Sequence, residues 1–383
     1  MTYTPGSHGA ELDELRKSAR AFARQQIEPL AGEAERIERF PMQVLRQAGQ
    51  HGFIGSHYPV QVGGGGGTIA AAMVIREEFS YSSVGISSGL GHQDHVGTAY
   101  LHRFGSAEQI DRWLRPALAG ELVIAMAVTE PDAGSDVRSM RSRARRGDDG
   151  SWVISGRKTF ITNAPIADAI AVVARIDGID DRYGVFVVLR SDAGYACERT
   201  LPKLGCRSSE VGELVFDDVR ISPDRMLSPD GGSELDDVLD VLVRGRVLIA
   251  ASALGLARRA FDLGIGHAKQ RRAFGRPIGR FQEVSMKFAE SSTRIRAAEL
   301  LAYDAAASFE QDGKALVLEC SQAKLFAAET AVWVVDQMMR VFAGAGFMQE
   351  SPIERLYRDA RFFTIVEGTA EIQHRIIASR LGL

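Results

Sequence analysis

The apolar positions change their period twice along the chain, and the changes divide it into three stretches. Over residues 11–104 they recur at helical spacing. Leu12, Leu15, Ala19, Phe22 and Ala23 share one face, while Asp13, Glu14, Arg16, Lys17 and Arg20 lie elsewhere, the pattern of an amphipathic helix. Pro41 suits the first turn of a second helix ending near Gly52, because it has no N–H to lose there. Glycines 63–67 predict a flexible turn before a helix over 69–79. Ser106 with Gln109 forms a capping-box pattern for a helix ending near Gly120.

From Glu121 short apolar runs replace the helical period. Strands are predicted over 122–128, 152–154, 159–162, 169–174, 184–189 and 213–216. Gly147-Asp148-Asp149-Gly150 reads as a hairpin tip, and Arg143, Arg145 and Arg146 beside it as a solvated strand edge that discourages pairing. After Pro229-Asp230-Gly231-Gly232 helical spacing returns over 234–270, 280–311 and 315–341. Short connections at Arg276-Pro277 and Gln311-Asp312-Gly313 give these helices the character of a bundle. The expected class is α+β, mainly α, with domains over 1–120, 121–230 and 231–383.

Composition excludes more than it assigns. The chain has 383 residues, 45% hydrophobic and 25% charged, an ordinary globular balance. A net charge of −3 argues against a general nucleic-acid binder, which needs a basic surface. Cys197, Cys206 and Cys320 match neither a disulfide framework nor a zinc cluster, so a reducing cytoplasm and no metal are expected. Residues 1–10 lack the basic start and apolar core of a signal peptide, and no run suits a bilayer span. Glycines 63–67 lack the Lys-Ser/Thr end of a phosphate loop. His92 and His95 have no further ligand at metal spacing and read as polar cavity or surface residues.

Four segments look chemical. Val128 to Asp136 follows an apolar strand and holds Thr129 and Ser135; it reads as a plain strand-end loop or as one presenting hydroxyls and N–H groups to a ligand. In Gly156 to Asn163, alternation puts Phe160 and Thr162 on one face, suiting a flat ring with a polar edge or simply an amphipathic strand. Arg271, Phe274 and Gln282 lie at a helix end, where basic groups bind a pyrophosphate or complement the dipole. Near the C-terminus an apolar run delivers Glu367, then Gly368, with Thr369 a plausible N-cap and Glu371 in the first turn.

Taken together, these segments resemble the acyl-CoA dehydrogenase family. The resemblance covers nearly all 383 residues and rests on collinear motifs, including Lys203-Leu204-Gly205 and Phe216-Asp217-Asp218-Val219 as well as those above. It implies an N-terminal helical domain, a central β-barrel-like domain and a C-terminal four-helix bundle, usually as a homotetramer. FAD is the implied cofactor. Thr129 and Thr162 would lie near the reactive flavin edge, Phe160 against the ring, and Ser135 near flavin and thioester. Arg271, Phe274 and Gln282 would hold the partner subunit's FAD, with Arg340, Gly344, Thr369 and Glu371 completing the cofactor site. Glu367 is the implied catalytic base. It would take the α-proton of an acyl thioester while a β-hydride leaves to flavin N5. Val366 and Gly368 would border the substrate.

Several positions depart from the family pattern. Where many relatives read Asp-x-Gly-Arg, this chain has Val243-Arg244-Gly245-Arg246, which alters the expected substrate contacts. Gly245 stands where some relatives carry the base, which returns that role to Glu367. Arg340 stands where glutamine is usual, and Val366 where tyrosine is frequent. The resemblance implies an acyl-CoA substrate and an electron-transfer flavoprotein as acceptor. The same chemistry on an acyl-carrier-protein thioester is one alternative, and a flavin-containing binding relative is another.

Overall fold

The computed structural model describes residues 3, 5–228, 231–312 and 316–383. Pro229, Asp230 and Gly313, on which two of the predicted connections fall, lie outside the described residues. The N-terminal stretch forms α1 (Ala10–Phe22), α2 (Glu28–Ile37), α3 (Met42–Gln50), α4 (Ile69–Ser82), α5 (Val84–Gly91), α6 (Ala99–Phe104), α7 (Ala107–Gln109) and α8 (Arg115–Leu118). Pro41 sits at the N-cap of α3 rather than inside its first turn. Ser106 and Gln109 make both bonds of the predicted capping box. Thr68 caps α4 by accepting the N–H of Ala71.

Seven strands follow: β1 (Ile124–Ala127), β2 (Arg143–Arg146), β3 (Trp152–Thr162), β4 (Ala169–Ile176), β5 (Tyr183–Leu189), β6 (Tyr195–Thr200) and β7 (Val211–Ile221). They form one sheet in the order β1-β4-β2-β3-β7-β6, with β5 on the other edge of β4. Two expectations are corrected here. The arginine strand β2 is not an edge: it pairs antiparallel with β3 and parallel with β4. Ala144 turns inward while the arginines stay exposed, so solvation of one face is compatible with full pairing. The predicted strands at 152–154 and 159–162 are one strand interrupted by irregularities. Gly156 adopts φ 152, and a Cβ there would stand 2.3 Å from Ser142 Oγ. The unforeseen β6 (Cys197-Glu198-Arg199-Thr200 at its end) is a mostly exposed edge and carries little apolar pattern.

The remaining helices are α9 (Leu235–Leu239), α10 (Val241–Gln270), α11 (Gln282–Asp312), α12 (Val317–Phe342), α13 (Pro352–Ala360) and α14 (Ala370–Arg380). Small residues such as Ala250, Ala257 and Ala331 let α10 pack closely on α12. One core joins the first helices to the sheet and a second fills the bundle. Helix α4 belongs to both: Ile75 and Phe79 point into the first, Ile69 and Met73 into the second. A buried ion cluster sits at the same junction. Arg16 and Arg258 meet Glu77 at 2.6 and 2.9 Å, and Tyr303 donates to Glu77 at 2.7 Å.

Candidate active site

A cavity of about 450 Å³ opens where the three parts meet. Thr129, Ser135, Phe160 and Thr162 line it from the sheet side, Gly245 from α10, and Val366, Glu367, Gly368 and Thr369 from the segment before α14. A buried pair anchors the loop that carries Thr129 and Ser135. Lys158 donates to Glu130 at 2.8 Å and to the carbonyl of Val128 at 2.9 Å, and Glu130 also accepts the N–H groups of Arg141 and Ser142. Burial pushes the Lys158 ammonium down to about 8, against the opposing pull of Glu130. Phe160 adopts φ 60 where the β3–β7 register slips between Lys158 and Ile161. This irregularity leaves the ring 67% exposed at the cavity wall.

Glu367 is the chemically notable group of the cavity. Its backbone adopts the left-handed φ 53, followed by Gly368 at φ 86. That double turn is latched from two sides. Gln373 Nε2 donates to the carbonyls of Glu367 and Gly368 at 3.0 Å each, and Lys324 Nζ donates to Gly368 at 2.7 Å. The carboxylate therefore projects from a fixed point, and Oε2 is buried without a partner among the described residues. Burial pushes Glu367 up to about 7, and Arg246, Lys324 and Arg76 pull against that rise. The Glu367 N–H has no acceptor among the described residues, leaving a donor beside the carboxylate. A Cβ added to Gly245 would lie 3.0 Å from the carboxylate carbon, so only glycine leaves this approach uncrowded.

Of the other predicted residues, only Thr369 belongs to the cavity lining. Arg246 donates to Ser321 at 3.1 Å and influences Glu367 by charge, and Arg244 stacks over Phe309 at 5.6 Å. Arg271 precedes a small hairpin, Arg272–Ala273 paired with Arg276–Pro277, whose tip carries Phe274. Phe274 has φ 48 and is 94% exposed, while Gln282 opens α11 nearby. Arg340 pairs with Asp336 at 2.9 Å, and Gly344 lies in the short turn after α12. Thr369 caps α14 by accepting the N–H of Ile372, and Glu371 is exposed in the first turn.

The sequence reading left out Arg76, Lys324 and Gln373 and gave His92 and His95 no specific role. Lys324 and Gln373 sit at helical positions among alanine- and isoleucine-rich turns, and only their complete burial distinguishes them. His92 and His95 occupy a π-helical turn, His92–Val96, that no periodicity signals. Among the described residues there is no group of three or more metal-ligating side chains, and no helix is long and apolar enough to cross a membrane.

The lining fits a flat cofactor. An uncovered aromatic face at Phe160 stands beside the hydroxyl-bearing residues Thr129, Ser135 and Thr162, and these would meet a flavin ring and its polar edge. Comparison with known proteins gives the same direction. Residues 9–121, 125–219 and 235–382 match the N-terminal, middle and C-terminal domains described for acyl-CoA dehydrogenase. A 3-(aryl)acrylate reductase of Clostridium sporogenes is 37% identical, over 96% of this chain and 97% of its own. The caffeyl-CoA reductase–Etf complex subunit CarC of Acetobacterium woodii is 33% identical, over 96% of this chain and 97% of its own. Butyryl-CoA dehydrogenase from Megasphaera elsdenii superposes with a TM-score of 0.93 at 28% identity, covering 99% of this chain and 100% of that one. Mycobacterium smegmatis glutaryl-CoA dehydrogenase, solved with FADH2, gives 0.92 at 25% identity, over 97% of this chain and 95% of that one. The chain belongs to the acyl-CoA dehydrogenase family, whose members are FAD-dependent oxidoreductases acting on CH–CH groups.

Proposed function

We propose that this protein oxidises the α,β bond of an acyl-CoA thioester, with Glu367 as the base that removes the α-proton. The observation that carries this reading is the cavity-facing Glu367 carboxylate, with Oε2 buried and unpartnered among the described residues and the group pushed up to about 7. A thioester α-proton is weakly acidic, and a carboxylate tuned toward neutral pH matches it better than an ordinary one. The free Glu367 N–H is suited to the thioester oxygen, where negative charge develops as the proton leaves. FAD, when bound, supplies the electron-pair acceptor for the β-hydrogen. Phe160, Thr129, Thr162 and Ser135 would seat the flavin, and Val366 and Gly368 would border the thioester. Lys324 and Gln373 hold the Glu367–Gly368 turn so that the base does not swing out of line.

The exposed hairpin supports a shared cofactor site. Arg271, Phe274 and Gln282 would reach the FAD of a neighbouring copy, which makes a homotetramer the assembly we assign. The Etf-complex relative supports an electron-transfer flavoprotein as the acceptor. The test is the visible spectrum of the purified flavoprotein, followed anaerobically during addition of acyl-CoA and acyl-carrier-protein thioesters. Bleaching by an acyl-CoA is the expected result. Bleaching by the carrier-protein thioester alone would move the substrate class, and no bleaching by any thioester would overturn the reading.

A further inference from the structure

A second cavity, of about 400 Å³, lies on the sheet. Arg141, Arg143 and Arg175 line it, with Asp177, Ile179 and Asp180 from the loop between β4 and β5. The strand register places it relative to the first cavity. Strands β1 and β2 both run parallel to β4 on the edge opposite β5, β1 against residues 169–172 and β2 against 175–176. Paired residues share a face of a sheet, and faces alternate along each strand. Met126, which lines the Glu367 cavity, pairs with Ala171; Arg175 lies four residues further along β4, and Arg143 is its partner. Both arginines therefore stand on the face that carries Met126, roughly 13 Å along the strand direction from it.

This face carries more positive charge than the sheet needs. Arg143 and Arg175 sit on neighbouring strands about 4.8 Å apart, and like charges set opposite one another are destabilising. Arg175 lies over the ring of Tyr183 at 5.7 Å and reaches Asp181 at 3.9 Å, and Arg141 meets Asp132 at 3.4 Å. Asp181 and Asp132 are 87% and 72% exposed, so these pairs are weak and give way to a stronger anion. Arg143 is exposed and has neither an acid nor a hydrogen-bond acceptor among the described residues. Guanidinium groups bind phosphate oxygens in forked pairs. Bare phosphate would also meet the carboxylates of Asp177 and Asp180. A ligand that joins phosphates to a ribose and a base meets every group with its complement: guanidiniums for phosphate, carboxylates for O–H and N–H donors, and the exposed Ile179 for a flat ring.

A CoA thioester has this make-up beyond its pantetheine arm, which ends in a diphosphate and a 3′-phosphorylated adenosine. The arm is about as long as four extended residues, roughly 14 Å, which matches the step from Met126 to the arginines. We infer that Arg141, Arg143 and Arg175 hold the phosphates of the CoA nucleotide, with Ile179 against the adenine. The inference rests on the acyl-CoA reading above and names the residues that select CoA over a carrier-protein thioester, whose arm ends in one phosphodiester and no nucleotide. FAD also joins a diphosphate to adenosine, and the test separates the two.

Calorimetry on the FAD-loaded enzyme with CoA, dephospho-CoA and pantetheine needs no knowledge of the acyl group. CoA should bind most tightly and pantetheine least, with a gap of about tenfold or more that narrows as salt rises, because exposed charges are screened. Arg143→Gln should weaken CoA about fivefold and leave pantetheine unchanged. Its far-UV spectrum and flavin content report the fold, and Arg175→Gln should give the same split. CoA and pantetheine binding alike, or titrations of both variants that superimpose on the native one, overturn the inference; bleaching by an acyl-CoA then leaves the dehydrogenase reading intact. Loss of FAD from the folded variants with CoA affinity preserved assigns the pocket to the cofactor and overturns the inference as well. No bleaching by any thioester instead sinks the reading on which it rests.

Discussion

Glu78 and Glu367 are both withdrawn from water, yet they end at opposite edges of the carboxylate range. Burial works against ionisation at both. At Glu78 it is overcome by Arg20, Arg258 and Arg16, which hold the group down to about 2. Arg20 bonds it at 2.9 Å and Arg258 at 3.1 Å. At Glu367 no cation among the described residues makes a direct bond; Arg246, Lys324 and Arg76 act through space, and the group stays up at about 7. Hydrogen-bonded charge makes a carboxylate a fastener, whereas nearby but unbonded charge leaves it able to take a proton.

The largest effect tests that division directly. Glu367→Gln should fold and bind FAD yet lose on the order of 10³-fold or more of the thioester-driven flavin-reduction rate, the scale of a lost general base. In the native enzyme the same rate should fall about tenfold per pH unit below about 7, because the base must be ionised. Stability should run the other way. A carboxyl whose folded pKa is raised binds more protons folded than unfolded, so its contribution is present at low pH and is lost as pH rises from about 4.5 through about 7. Denaturation midpoints of native enzyme and variant should diverge over that window. A variant that retains the native rate would remove Glu367 from the mechanism.

Arg258→Met attacks the fastener instead. Breaking a buried pair strands the remaining acid, so a loss of about 3 kcal/mol in urea denaturation is expected, with specific activity of the folded fraction preserved. The sign is again opposite. Glu78 has a lowered folded pKa, so its contribution is present above about 4.5 and is lost as pH falls through about 2. The variant should show a flatter acid limb in that window. An unchanged midpoint would mean that Arg16 and Arg20 suffice.

Lys324→Met sharpens the comparison within the site. Lys324 favours the ionised form of Glu367 through space, so its loss should move the activity limb to higher pH by about one unit. The buried latch to Gly368 also goes, and a lower plateau rate is expected with it. If the plateau falls while the limb stays at its native pH, Lys324 acts by position alone.

Much of this contrast could not be read from the residues in order. The three-part fold was visible because its periods are local: 3.6 in the helices and shorter alternation in the strands. The capping box at Ser106 and Gln109 was visible for the same reason. The pairing of β2 on both edges was not, since arginine-rich exposed faces look alike on edge and interior strands. Within the cavity, Thr129, Ser135, Phe160 and Thr162 stood out because they lie in polar clusters between apolar segments, and Glu367 because it ends an apolar run. Arg76, Lys324 and Gln373 did not, because the fact that matters about them is burial, which depends on helices far away in the chain. His92, in the polar run His92-Gln93-Asp94-His95, reads as one more cavity or surface residue until Met126, 34 positions on, supplies the N–H that fixes its tautomer.

The smallest expected effect comes from Gly245→Ala. In the second turn of α10 the substitution favours the helix by up to about 1 kcal/mol, since alanine gives up less backbone entropy than glycine. Against this, the new methyl would stand 3.0 Å from the Glu367 carboxyl carbon and Oε2 and 3.1 Å from Oε1. Crowding of that order costs about 1–3 kcal/mol where the neighbour is rigid. Here the neighbour is the free end of a side chain, which yields by rotation rather than by moving backbone. The two terms therefore nearly cancel in stability, and the displacement falls on the base. A midpoint unchanged within about 1 kcal/mol with turnover reduced about tenfold is the expected pair of results, read by denaturation and by flavin reduction. Native turnover would show that the carboxylate tolerates displacement. A large fall in stability with turnover preserved would instead mean that the backbone of the Glu367–Gly368 turn yields before the side chain does.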